Sequence, residues 1–168
     1  MFTLNYELYQ IELETMIRWA QKNERHLIFV TNPVNINWPP EKICGSQSPE
    51  SQVLIQKVES YYVSGEYKRA QSLLTKLFKE IPSNAQVHYL MGRTQMKMGN
   101  YLQAQTNFIM SNALDCSRDR GNVVYNALAK KLGAQFNIPI IDFFHMVNND
   151  IGQKDIFKDE YFPEDYFY

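Results

Sequence analysis

The chain has 168 residues, 45% hydrophobic and 21% charged, which is globular composition and excludes wholesale disorder. Lys and Arg number 17 against 18 Asp and Glu, a net charge of −1, so no broad basic field favours nucleic acid or an anionic membrane. No apolar run reaches the roughly 18 residues of a membrane span. The opening Met1-Phe2-Thr3-Leu4-Asn5-Tyr6-Glu7 shows no signal-peptide pattern, so a cytoplasmic location is the default expectation.

From Leu4 to Gln21 the apolar residues Leu4, Leu8, Ile11, Leu13, Met16, Ile17 and Ala20 recur mostly in steps of three and four, which predicts an amphipathic helix. His26-Leu27-Ile28-Phe29-Val30-Thr31, closed by Asn32-Pro33, is short, apolar and β-branched, and reads as a buried strand. The stretch from Asn35 to Gln47 holds Pro39-Pro40 and Gly45 and reads as a loop. Cys44 and Cys116 have no metal-ligand spacing, and two cysteines predict no disulfide framework.

Ser48-Pro49-Glu50 opens the next helix: Ser48 caps, Pro49 suits the first turn and Glu50 meets the positive end of the dipole. An internal repeat follows. Gly65, Tyr67 and Ala70 return as Gly99, Tyr101 and Ala104, each 34 residues later, and Leu74 maps onto Phe108. That period with Gly-x-Tyr-x-x-Ala at its centre is the mark of tetratricopeptide (TPR) helix hairpins. The glycines turn the chain, Ala70 and Ala104 are small where helices approach, and Tyr67 and Tyr101 are expected to wedge the hairpin base. Pro82, with Ser83 or Asn84 as the following cap, closes the first repeat; Gly92 is the small residue of the second repeat's first helix, where the first repeat has Val58. Helices are predicted near 49–63, 67–80, 84–98 and 101–114.

Asp119-Arg120 opens a further helix to about Phe136, Ile138-Pro139-Ile140-Ile141-Asp142 is a second strand, and Asp142 caps a last short helix from Phe143. The tail from Asp155 mixes acids with Phe157, Tyr161, Phe162, Tyr166, Phe167 and Tyr168. Two short parallel strands joined by a helical crossover form a βαβ unit with the hairpins lodged inside it. Three segments result: 1–47, helix, strand and loop of a partial α/β domain; 48–116, two TPR hairpins; and 117–168, helix and strand of the partial domain plus the tail.

The flanks resemble a known family. Leu27-Ile28-Phe29-Val30-Thr31-Asn32-Pro33-Val34-Asn35 with Trp38-Pro39-Pro40, and Cys116-Ser117-Arg118 with Asn137-Ile138-Pro139-Ile140-Ile141-Asp142, look like the later part of SGNH/GDSL hydrolases that carry inserted TPR repeats. The resemblance implies an α/β/α sandwich around a parallel sheet and an ester- or acyl-hydrolase ancestry with a Ser-His-Asp triad. The family's Gly-Asp-Ser block and its Gly and Asn blocks are not in this sequence. The terminal Asp-x-x-His block aligns at Asp159, with Phe162 in the His place, or at Asp165, with Tyr168 there. Neither side chain replaces imidazole as a base at neutral pH, so no catalytic residue, cofactor or metal is expected.

Of the three histidines, His26 reads as a strand-end residue, His88 as part of the hairpin interface and His145 as a cap contact with Asp142. The hairpins supply the candidate binding residues. By the phase of the repeat, Gln52, Ile55, Glu59 and Tyr62 face a groove from the first repeat, and Gln86, Tyr89, Arg93 and Met96 from the second. Tyr and Arg are enriched at binding hot spots. The alternative is that this face packs on the α/β remainder.

The fold expected is therefore a mostly helical α/β chain, a partial SGNH-like sandwich with two TPR hairpins. Its function is that of a non-catalytic fragment or degenerate hydrolase acting in protein–protein interaction. The alternatives are a hydrolase active only with a missing N-terminal half, and a plain TPR adaptor. The expected partners are a protein or peptide in the groove, and a second copy or the missing half along the sheet edge.

Overall fold

The computed structural model describes residues 2–44, 47–117 and 121–151. Contacts divide the chain into two units, one made of Met1–Val34 and Asp119–Tyr168, the other of Asn35–Arg118.

The first unit is built on a helix, α1 (Phe2–Lys22), a strand, β1 (Phe29–Val30), and, after the second unit, α6 (Val123–Phe136), β2 (Ile140–Ile141) and α7 (Phe143–Ile151). The strands pair in parallel, Phe29 beside Ile140 and Val30 beside Ile141. The crossover helix α6 begins later than Asp119, because Asn122 supplies the cap, its Oδ1 accepting from Val124 N at 2.9 Å. It ends at Asn137, in the left-handed region with φ 55°, from where the chain turns into β2. Ile17 of α1 packs with Phe29, Leu128, Ala129 and Leu132 in one core.

That core lies on one side of the sheet. Phe29 and Thr31 are buried, whereas Ile28, Val30 and Ile141 are 60%, 56% and 48% exposed. Burial on both faces, expected for parallel strands, is thus corrected among the described residues: helices cover one face only, and each strand is two residues long. Helix α1 likewise has a second apolar stripe, Leu8, Ile11, Met16 and Trp19, turned outward.

The junction of β2 and α7 is held by Asp142. Its Oδ1 accepts from Thr31 Oγ1 at 3.0 Å and from His145 N at 3.2 Å, and Thr31 Oγ1 accepts from Phe144 N at 2.9 Å. Lys130 pairs with the other oxygen. Burial pushes this carboxyl upward. The Lys130, His145 and Thr31 contacts outweigh it and hold the group below its ordinary value.

The second unit holds α2 (Pro49–Val63), α3 (Tyr67–Glu80), α4 (Ala85–Lys97) and α5 (Tyr101–Leu114). Ser48 Oγ accepts from Ser51 N and Asn84 Oδ1 from Val87 N, so Asn84 rather than Ser83 caps α4. Gly65 and Gly99 turn the two hairpins at φ 78° and 79°, a conformation that glycine reaches without strain. Ala70, Ala104, Leu74 and Phe108 are buried at their repeat-equivalent places. Gly92 is needed for close approach: a Cβ there would stand 2.7 Å from Phe108 Cε1. Tyr67 stacks edge-on with Tyr62 at 5.6 Å, but Tyr101 is 55% exposed, so the expected wedge exists in the first hairpin only.

Two further corrections concern the ends of this unit. Cys44 and Cys116 form a disulfide, against the expectation, with Cα atoms 5.9 Å apart. Beside it Ile43 bridges Asp115, whose carboxylate accepts from the amides of Glu41 and Lys42 at 3.0 and 3.1 Å, and Cys116 N donates to Lys42 O. These contacts, with buried Ile36 and Asn37, draw the loop from Asn35 into the unit, which is wider than 48–116.

Candidate partner-binding face

Helices α2 and α4 open the two hairpins, and their charged and aromatic side chains meet across the gap between them. Gln86 Nε2 donates to Glu59 Oε1 at 3.2 Å. The Arg93 guanidinium lies 4.3 Å from the Tyr62 ring centroid and 5.7 Å from that of Tyr89. Tyr89 tilts against Phe108 at 5.9 Å, so the cluster is buttressed from α5. Tyr62, Gln86, Tyr89, Arg93 and Met96 are half-buried; Gln52 and Glu59 are exposed.

Five of the residues named from the periodicity touch one another: Glu59 with Gln86 and Tyr62 with Arg93 across the two helices, and Tyr89 with Arg93 along α4. Ile55 is different. It is 4% exposed and belongs to the hairpin core with Val58, Leu74 and Leu90, so it supports the face instead of presenting it. Lys97, exposed and one turn beyond Arg93, was not among the expected residues, although its i+4 spacing signals a shared side of the helix.

The family model described as anaphase-promoting complex, cyclosome, subunit 3 matches residues 41–110. The chain carries TPR-type repeats. Its TPR hairpins are the part for which a relationship is found; no curated protein and no solved structure matches. Nothing in these comparisons supports the resemblance of the flanks to SGNH/GDSL hydrolases.

Two of the three histidines take structural contacts. His88 is 5% exposed, with Nδ1 3.0 Å from Asn107 Oδ1 and Nε2 2.9 Å from Pro82 O, so both ring nitrogens are engaged in the hairpin interface. His145 caps through its backbone N–H. The two tail alignments, Asp159 with Phe162 and Asp165 with Tyr168, lie outside the described residues. No helix among the described residues is long and apolar enough to cross a membrane.

Proposed function

We propose that the protein is a TPR adaptor that holds a protein or peptide partner on the face shared by α2 and α4. The observation that carries this reading is the cross-helix group of Tyr62, Tyr89 and Arg93, half-buried aromatic and cationic side chains fixed in place before a partner arrives. Such groups lose little conformational entropy on binding. A disulfide that closes the insert supports an oxidising compartment as the protein's place of work rather than the cytoplasm.

Panning a random phage-displayed peptide library on the full chain tests it. Enriched clones should be released by the Tyr89→Ala/Arg93→Ala protein. Equal retention by both proteins would remove this face as the binding surface.

A second reading, a hydrolase fragment that works with a missing N-terminal half, draws on the parallel β1–β2 pair with its open face. A serine-reactive fluorophosphonate probe tests it, since the triad reading requires labelling of the completed protein.

A further inference from the structure

We propose that two copies of the chain associate through α1, the outward side of one helix lying antiparallel on that of the other about a two-fold axis at Thr15. None of the residues of the α2–α4 face takes part.

A helix that closes one side of a core ordinarily turns polar residues outward. On α1 both sides are apolar. Tyr6, Tyr9, Leu13 and Ile17 pack in the core of the first unit. Opposite them by helical phase stand Leu8, Ile11, Thr15 and Trp19, flanked by Met16, all exposed. Ile11, Glu12, Thr15, Met16 and Trp19 line an open apolar depression on this side. The Thr15 hydroxyl needs no water there, because Oγ1 donates to Ile11 O at 2.7 Å. Covering the stripe therefore strands no polar group at its centre, and the small Thr15 lets a second helix approach closely.

Charge selects the occupant. Along α1 the acids Glu7, Glu12 and Glu14 come first and the cations Arg18 and Lys22 last. A wholly acidic or wholly basic partner matches one end only. A reversed copy matches both, whereas a parallel copy sets like charge on like. The helix dipoles also oppose each other in the reversed arrangement. With Thr15 on the axis, residues equally spaced before and after it face one another. Ile11 of one copy then meets Trp19 of the other, and Leu8 meets the aliphatic stem of Lys22, with Glu7 beside its ammonium. Two-fold symmetry makes each contact twice, and tryptophan is the residue type that most often anchors an interface.

Sedimentation velocity on the full chain carrying Ile28→Thr/Val30→Thr, which thins the apolar sheet face, should show a monomer–dimer equilibrium that dissociates on dilution. Trp19→Ala should raise the dissociation constant about tenfold or more. Glu7→Lys and Lys22→Glu should each weaken the dimer, and the two together should restore it, which damage to the fold would not do. Both native cysteines are held in the disulfide, so Thr15→Cys adds a single thiol; oxidised glutathione should cross-link it to its copy, and Gln21→Cys, off the stripe, should stay monomeric. A monomer at every concentration, or a dimer indifferent to Trp19→Ala and not cross-linked through Thr15→Cys, overturns the proposal. So does a dimer that forms only after deletion of 155–168, since the tail would then be the occupant of the stripe.

Discussion

The two units meet the same demand, to bury enough apolar surface, by opposite means. In the second unit each helix packs on its sequence neighbours, and its ends are tied by a disulfide, a bridge and the Asp115 carboxylate. In the first, a sheet of two two-residue strands brings together segments about a hundred residues apart and, among the described residues, has one face covered. Local pairing costs little loop entropy and satisfies its own backbone, whereas a parallel pair depends on distant segments and on cover from both sides. The hairpin unit is therefore the self-sufficient half, and the sheet unit carries the open apolar surface.

The largest effect on that contrast should come from the disulfide. Its cysteines are 72 residues apart, and opening a loop of that size costs about 4 kcal/mol in the chain-entropy view. Cys44→Ser/Cys116→Ser should therefore lower the stability of the hairpin unit in urea by up to this amount. An unchanged midpoint would mean that the helices alone account for its sturdiness.

Two glycines sharpen the comparison at smaller scale. Gly92→Ala would press on the buried Phe108 ring and should cost about 1–3 kcal/mol, against less than about 1 kcal/mol gained in helix propensity. Gly133→Ala would meet Ile140 Cδ1 at 2.5 Å and Cγ1 at 2.8 Å, with Ile138 O at 3.3 Å; Ile140 is half-buried and has room to turn aside where the buried Phe108 ring has not, so the cost should be smaller. Thermal melts of both variants would reverse the comparison if Gly133→Ala proved the more damaging.

The open face should show itself in association rather than stability. Ile28→Thr/Val30→Thr keeps β-branched residues in the strand and removes exposed apolar surface. Light scattering should show less self-association at high concentration with little change in melting temperature; the same association state in both proteins would free the sheet face from that role.

Smallest is a pH effect at the β2–α7 junction. Because the Asp142 carboxyl is held below its ordinary value, its contribution to stability is present above the unfolded carboxylate range, near pH 4, and disappears as pH falls through the lower folded value. Asp142→Asn should thus be less stable than the wild type at neutral pH, with the difference shrinking in strong acid. A difference constant with pH would assign Asp142 a neutral capping role.

Much of the second unit was legible because its signals are local. Glycine before each second helix, capping Ser48 and Asn84, and the small residues of the repeat fixed four helices almost to the residue. Helical phase likewise grouped Glu59, Tyr62, Gln86, Tyr89 and Arg93, which the packing brings into contact. It did not separate Ile55, which the neighbouring helix covers, or reveal that Tyr101 stands in the open while Tyr67 meets Tyr62.

What remained was decided by contacts between residues far apart in the chain. The apolar pattern pointed to the two strands and the crossover helix, but only tertiary structure left Ile28, Val30 and Ile141 exposed on one face. Nothing in their spacing marks Cys44 and Cys116 as partners; the hairpins between them return the chain to its starting point and bring their Cα atoms to 5.9 Å. The same return places Tyr62 of one hairpin over Arg93 of the next. Short-range propensity fixes where helices begin and end, because capping and turning are settled within a few residues. Which side chains meet is a property of how those helices pack, and the contact of Arg93 with Tyr62 is of that second kind.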